Sequence, residues 1–202
     1  SVWHQAVETA WDRWDLVGLF CHAEDTDPRE PAITRYVVPF ERLGLPSDMA
    51  LEGYEFWSGQ FLGPIAGGRC NAGGYTHPGD FQDLQCGDAQ GVLDIAFYGP
   101  AAKLICLRTP RPHPWVAGTT FHQSCGAELE GVAWDAAAGC LTGSLRRPPG
   151  ESGTITVTAA GRPCTGAEID GRSVPVRCGA GDAHVLPLTT LLPVTAWRLT
   201  FA

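Results

Sequence analysis

"CLTGSLRRPPGESGTITV", residues Cys140 to Val157, decides the fold class. Leu141, Gly143 and Leu145 alternate with Thr142, Ser144 and Arg146, and beyond "PPGESG" Ile155 and Val157 alternate with threonines. A period of two is the mark of a strand with one buried and one solvated face. The stretch therefore predicts a β-hairpin turning at Pro148–Gly153.

Working outward, the same signals recur. "DLVGLFCHA" (Asp15–Ala23), "ITRYVVPF" (Ile33–Phe40), "GVLDIAFYG" (Gly91–Gly99) and "AKLICLRT" (Ala102–Thr109) are short, apolar or alternating, and bounded by turn residues. "SVPVRC", "AHVLPL" and "AWRLTFA" supply three further strands, and "FERLGLP" a single helical turn. The opening "WHQAVETAWDRW" is open between two readings. Val7, Trp11 and Trp14 have helical spacing, yet strand, turn and strand fits as well and is the reading preferred here. Strands every 8–12 residues or so, without helical periods between them, point to antiparallel sandwiches. "RTPRPHPW" (Arg108–Trp115) carries three prolines and reads as a semi-rigid connector. The expected architecture is thus all-β, with two antiparallel β-sandwich-like units in tandem, disulfide-stapled. Residues 1–110 form the first unit, 111–114 the connector and 115–202 the second.

Composition narrows the function. The 202 residues include 25 glycines and 16 prolines and carry a formal charge of −8. Of the 14 basic residues only Lys103 is a lysine, in "AAKLIC", so no phosphate-binding loop of the Walker type exists. An acidic chain without a recurring basic patch is not expected to bind nucleic acid. No apolar run approaches the roughly 20 residues a membrane helix needs, so a membrane is not an expected partner either. Eight cysteines at 21, 70, 86, 106, 125, 140, 164 and 178 form no CxxC or other close ligand pair. No metal or other cofactor is expected, and disulfides in an oxidising, extracellular compartment fit better than zinc. Eight cysteines allow 105 connectivities. The local closures favoured are Cys70–Cys86, Cys125–Cys140, Cys164–Cys178 across a hairpin, and Cys21–Cys106 between two strands. A start at Ser1 without a leader-like segment reads as a mature product or a piece of a longer chain.

Motifs for chemistry are sparse. There is no GxSxG elbow, HExxH pair or GxGxxG after a strand, and "EDTDPRE" (Glu24–Glu30) lacks the glycine and distal glutamate of a calcium loop. Asp80 with Asp83, or Glu128 with Glu130, could be nominated as a carboxylate pair, but nothing marks either as catalytic. His122 reads as a hydrogen-bonded structural residue. The polar loop "CNAGGYTHPGDFQDLQC" (Cys70–Cys86) is the better candidate for recognition, presenting Tyr75, His77 and Asp80 between two cysteines. Sugars bind where aromatic faces meet C–H groups and polar side chains meet hydroxyls. Trp57 and Trp115 are the candidate aromatic platforms, although the aromatics of "GYEFWSGQFLGP" (Gly53–Pro64), Trp57 among them, read first as parts of a strand.

Four stretches in order, "WDLVGLFCHAED", "VVPFERLGLP", "YEFWSGQFLGPI" and "GVLDIAFYGPAAKLICLRT", resemble the C-terminal β-sandwich modules that follow the catalytic (β/α)₈ barrel in glycoside hydrolases of the α-galactosidase-like clan. The stretch from "VAGTTFHQSC" to "GESGTITV" resembles the second β-rich unit of some members. Two departures stand out: Cys21 and His22 replace the usual Asn-Trp after "LF", and the loop at 70–86 is extra. The clan's catalytic aspartates belong to the barrel, so none carries over to this chain. The resemblance implies a non-catalytic extracellular accessory module that binds polysaccharide or glycan, or stabilises a catalytic barrel partner. The alternative is a structural protein of an extracellular coat or filament, self-assembling through strand edges and sandwich faces.

Overall fold

The computed structural model describes residues 1–21, 33–65, 84–86, 90–98 and 102–202. They form an all-β protein of antiparallel sheets, with a single 3₁₀ turn at Phe40–Leu43. The chain divides into two compact units. The first comprises Ser1–Gln5 and Asp15–Pro110, the second Ala6–Trp14 and Arg111–Ala202.

Among the described residues, eight strands run through the first half: β1 (Val2–Glu8), β2 (Arg13–Phe20), β3 (Ile33–Pro39), β4 (Glu52–Glu55), β5 (Gln60–Pro64), β6 (Leu84–Cys86), β7 (Val92–Tyr98) and β8 (Ala102–Arg108). They make two sheets, ordered β1-β2-β8-β4-β5 and β3-β7-β6. The opening stretch is therefore strand, turn and strand. Alternate residues Val17 and Leu19 of β2, Ile105 and Leu107 of β8, and Leu93, Ile95 and Phe97 of β7 are fully buried in one core. Both sheets of the first unit thus contribute to a single apolar interior, and the other face of β2 and β8 is covered as well, since Trp14, Leu16, Cys106 and Arg108 are also buried. Asp94, between two of these core residues, lies on the other face of β7 and is itself buried, with Arg35 of β3 gripping both carboxylate oxygens.

The second half holds β9 (Trp115–Thr119), β10 (Leu129–Asp135), β11 (Cys140–Arg146), β12 (Ser152–Thr158), β13 (Cys164–Ile169), β14 (Arg172–Val174), β15 (Arg177–Cys178), β16 (Ala183–Thr189) and β17 (Val194–Phe201). The sheets are β10-β11-β17-β13-β14 and β15-β16-β12-β9. Here the expected hairpin at Cys140–Val157 is corrected. β11 pairs with β10 and β17, whereas β12 pairs with β16 and β9. The connection crosses from one sheet to the other, so that Leu141 and Leu145 meet Ile155 and Val157 in one core. Alternation was satisfied either way, because it fixes which side chains turn inward and not which strand lies alongside. Thr190 secures the crossover: its hydroxyl donates to Pro148 O at 2.6 Å, and its carbonyl accepts from Gly150 N at 2.7 Å.

The disulfide scheme is corrected as well, since among the described residues no two cysteine sulfurs lie at bonding distance. Strand register gives the reason. Cys106 faces Leu16, five residues before Cys21, which is roughly 16 Å along a strand, against a Cα limit of about 7 Å for a disulfide. Cys140 faces Asp135 at one end of the β10–β11 ladder, while Cys125 precedes Leu129 at the other. Cys164 faces Phe201 in one sheet and Cys178 faces His184 in the other, so no hairpin joins them. Burial pushes the Cys164 thiol above its ordinary value, and the nearby Cys178 adds to that rise. Cys70 lies outside the described residues, and of Cys86 only the strand backbone is described.

Candidate functional site

Two aromatic features stand out, one in each unit. In the first, the β4–β5 connection is a four-residue turn, Phe56–Gly59, and Trp57 sits on it with 54% of its surface exposed. The turn is fixed from below by buried Glu55, whose carboxylate accepts from Ser58 N and Ser58 Oγ, both at 2.7 Å. Gly59 takes the left-handed conformation (φ 67°) that closes the turn and is open to glycine at no steric cost. Phe56, buried beneath, meets the Trp57 ring edge-on at 4.8 Å. Trp57 is therefore not a strand residue, as its surroundings suggested, but a ring held out on a braced turn. Tyr75, His77 and Asp80, the other polar candidates of the 70–86 loop, lie outside the described residues, as does Asp83.

The second feature surrounds Trp115. Its indole Nε1 donates to Asp12 Oδ2 at 2.9 Å, and Asp12 Oδ1 accepts from Arg111 Nη2 at 2.8 Å, with the Arg111 guanidinium 5.2 Å above the Trp115 ring. Trp11 lies 6.0 Å away and is itself anchored by donation to Leu129 O at 2.9 Å. On the other side His113 meets Trp115 edge-on at 5.4 Å and stacks on Trp134, with an interplanar angle of 2°. Arg162 lies over Trp134 at 5.8 Å. Trp115, His113 and Trp134 are each half-buried. Of this row only Trp115 was singled out in the sequence. Arg111 and His113 share its proline-flanked connector, whereas Trp134 and Arg162 come from two further segments that no local pattern links to it.

His122 finds its partner in the loop between β9 and β10. Ser124 N donates to His122 Nδ1 at 3.1 Å, and Ser124 Oγ lies 2.9 Å from the same nitrogen. That hydroxyl also accepts from Ala127 N at 3.0 Å and donates to Glu128 Oε2 at 3.1 Å, while Thr119 Oγ1 donates to Glu128 Oε1. A nucleophilic serine needs a base whose imidazole is oriented by a third group. Here the carboxylate binds the serine instead, and the network braces the loop. Glu130 is exposed and bound by Arg146 at 2.7 Å, which holds its carboxyl below the ordinary value. Glu128 and Glu130 thus serve different partners. Among the described residues no cluster of His, Cys, Asp and Glu could hold a metal ion.

His184, in β16, packs edge-on against Phe201 at 6.1 Å. Burial pushes its pKa below the ordinary 6.5, and Asp182 offsets this in part. With the folded value depressed, the unfolded chain binds the proton more readily, so stability is full above 6.5 and falls as the pH drops through and below it. Denaturant midpoints measured above and below that pH should show the fall, and His184→Gln should reduce it. An identical pH profile in the variant would assign the loss elsewhere.

Comparison with protein-family models finds no match, and none of the curated proteins matches the chain.

Proposed function

We propose that the chain is a non-catalytic extracellular accessory module, two β-sandwich-like units in tandem, that holds carbohydrate beside a catalytic partner of glycoside-hydrolase type. The observation that carries this reading is Trp57. A large indole held half in water on a turn braced by a buried carboxylate gives less return in folding stability than the same ring in a core. It does offer a flat apolar face of the kind that pyranose C–H groups cover, and its fixed turn lowers the ordering cost of binding. The quoted resemblances to accessory modules of sugar-cleaving enzymes point the same way.

A glycan array tests it. The intact chain should bind one class of saccharide saturably, and Trp57→Ala should weaken that binding by about fivefold to tenfold, as expected for a ring contact of roughly 1 kcal/mol. The unfolding midpoint should move only slightly, by the worth of the edge-on contact with Phe56. A flat array with folded protein overturns the reading. The coat-protein alternative has one observation in its favour. Leu191 and Leu192 are adjacent and 70% and 57% exposed, with Val194 also exposed, and contiguous apolar surface of this kind suits contact with a second copy. Light scattering that rises with concentration, and falls for Leu192→Ser, would favour it.

A further inference from the structure

We propose that the row Arg162–Trp134–His113–Trp115–Arg111 in the second unit is a separate binding site for an acidic saccharide, one bearing carboxylate or sulfate groups. The proposal rests on the carbohydrate reading for the saccharide; the preference for acid comes from the row itself.

The order of the row is the first argument. A guanidinium covers Trp134, Trp134 stacks on His113, His113 abuts Trp115, and a second guanidinium covers Trp115. Half-buried rings therefore lie in the middle with a cation at each end. The part of each ring left exposed can meet sugar C–H groups, and the guanidinia at the ends can meet acid groups as bidentate donors.

Rigidity is the second argument. Trp115 is tied to Asp12, and Phe201 meets Trp134 edge-on at 5.9 Å. His113 Nδ1 lies 3.0 Å from Pro114 O, an acceptor only, so that nitrogen carries the hydrogen and Nε2 is left for a ligand. The proline-flanked connector, which composition alone marks as a spacer, is thereby part of the site. Little ordering cost remains for a ligand to meet.

Charge is the third. A guanidinium stacked on an indole keeps its N–H fork at the rim, where carboxylates and sulfates can reach it. Arg111 gives one nitrogen to Asp12 and stays 41% exposed, while the exposed Arg162 has no carboxylate within ion-pair distance among the described residues. In a chain with 22 acidic and 14 basic residues a polyanion finds little attraction elsewhere, so its binding would be confined to such a place.

The test uses the full chain against polygalacturonate, alginate and chondroitin sulfate, with dextran and xylan as neutral members, followed by calorimetry and indole fluorescence. Acidic members should bind more tightly than neutral ones. Arg162→Gln, at an exposed position, should weaken them by about tenfold, the worth of one charge-assisted contact, without moving the unfolding midpoint. Trp134→Phe should weaken all members bound at this row, whereas Trp57→Ala should leave acidic binding unchanged. Binding of uronates alone assigns the site to carboxylates, and binding of the sulfated member too assigns it to anions in general. Neutral binding only, or acidic binding indifferent to Arg162→Gln, overturns the inference while the carbohydrate reading stands. No binding to any member overturns the inference, while the carbohydrate reading falls only if the glycan array is flat as well.

Discussion

Trp197→Ala is expected to destabilise the second unit by about 3–5 kcal/mol, the usual cost of emptying a large aromatic site in a packed core. The indole is 2% exposed and lies in β17, where register sets Trp197 opposite Gly143 on one side and Ile169 on the other. It belongs to the same core as Leu141, Leu145, Ile155, Val157 and Leu199, drawn from both sheets of that unit. Strand backbones leave little room for collapse into the space, which places the cost toward the upper end. Its Nε1 finds no hydrogen-bond partner among the described residues although it is buried. Trp197→Phe should therefore cost less than its lost volume implies, because it also removes an unsatisfied donor that costs about 1–3 kcal/mol. Denaturant midpoints with an unchanged slope would check both values. A loss below about 1 kcal/mol for the alanine variant would mean that the site collapses freely.

Gly143→Val is the second large effect, and it runs against propensity. Valine is a good strand residue, so an exposed position on β11 would tolerate it or gain. At Gly143, however, a Cβ would lie 2.5 Å from Trp197 Cζ2 and 2.9 Å from Cε2. The indole is boxed by the core and cannot swing away, so the expected cost is about 3 kcal/mol, near the top of the overpacking range. The two predictions are linked. In a Trp197→Ala background the clash disappears and the valine partly fills the vacated space, so the pair should depart from additivity by about 2 kcal/mol or more. Additive losses would show that Gly143 is required for some reason other than the ring across from it.

This pair also shows what the sequence could and could not disclose. Alternation in "CLTGSLRR" and "TITVTAA" identified the strands and their inward faces, because a period of two is written locally. It could not say that β11 and β12 belong to different sheets. The same apolar faces meet whether the chain folds back beside itself or crosses over, and a buried threonine 42 residues from Pro148 makes the difference. The Trp57 turn was closer to legible. A glutamate followed at three and four residues by serine and glycine is turn chemistry, but the aromatic density of the segment drew attention to strand packing instead. Of the row around Trp115 only one member was found, since stacking between Trp134 and His113 is a product of tertiary structure. The three cysteine pairings that fall within the described residues failed for the same cause: even numbers and spacing say nothing of register.

The grouping of Ala6–Trp14 with residues 111–202 bears on how the chain is made. Trp11 and Trp14 leave the ribosome early, yet the carbonyls that their indoles bind, Leu129 O and Ser124 O, are 118 and 110 residues further on. At a synthesis rate of about 5–20 residues per second the wait is on the order of 10 s. For that time two large indoles and Asp12 are without the second-unit partners that fix them. A chain begun at Arg111 would never acquire them. Within the second unit, residues 6–14 are thus synthesised before the segments they bind and placed after them, and for that interval a nascent chain is exposed to misassociation at Trp11 and Trp14.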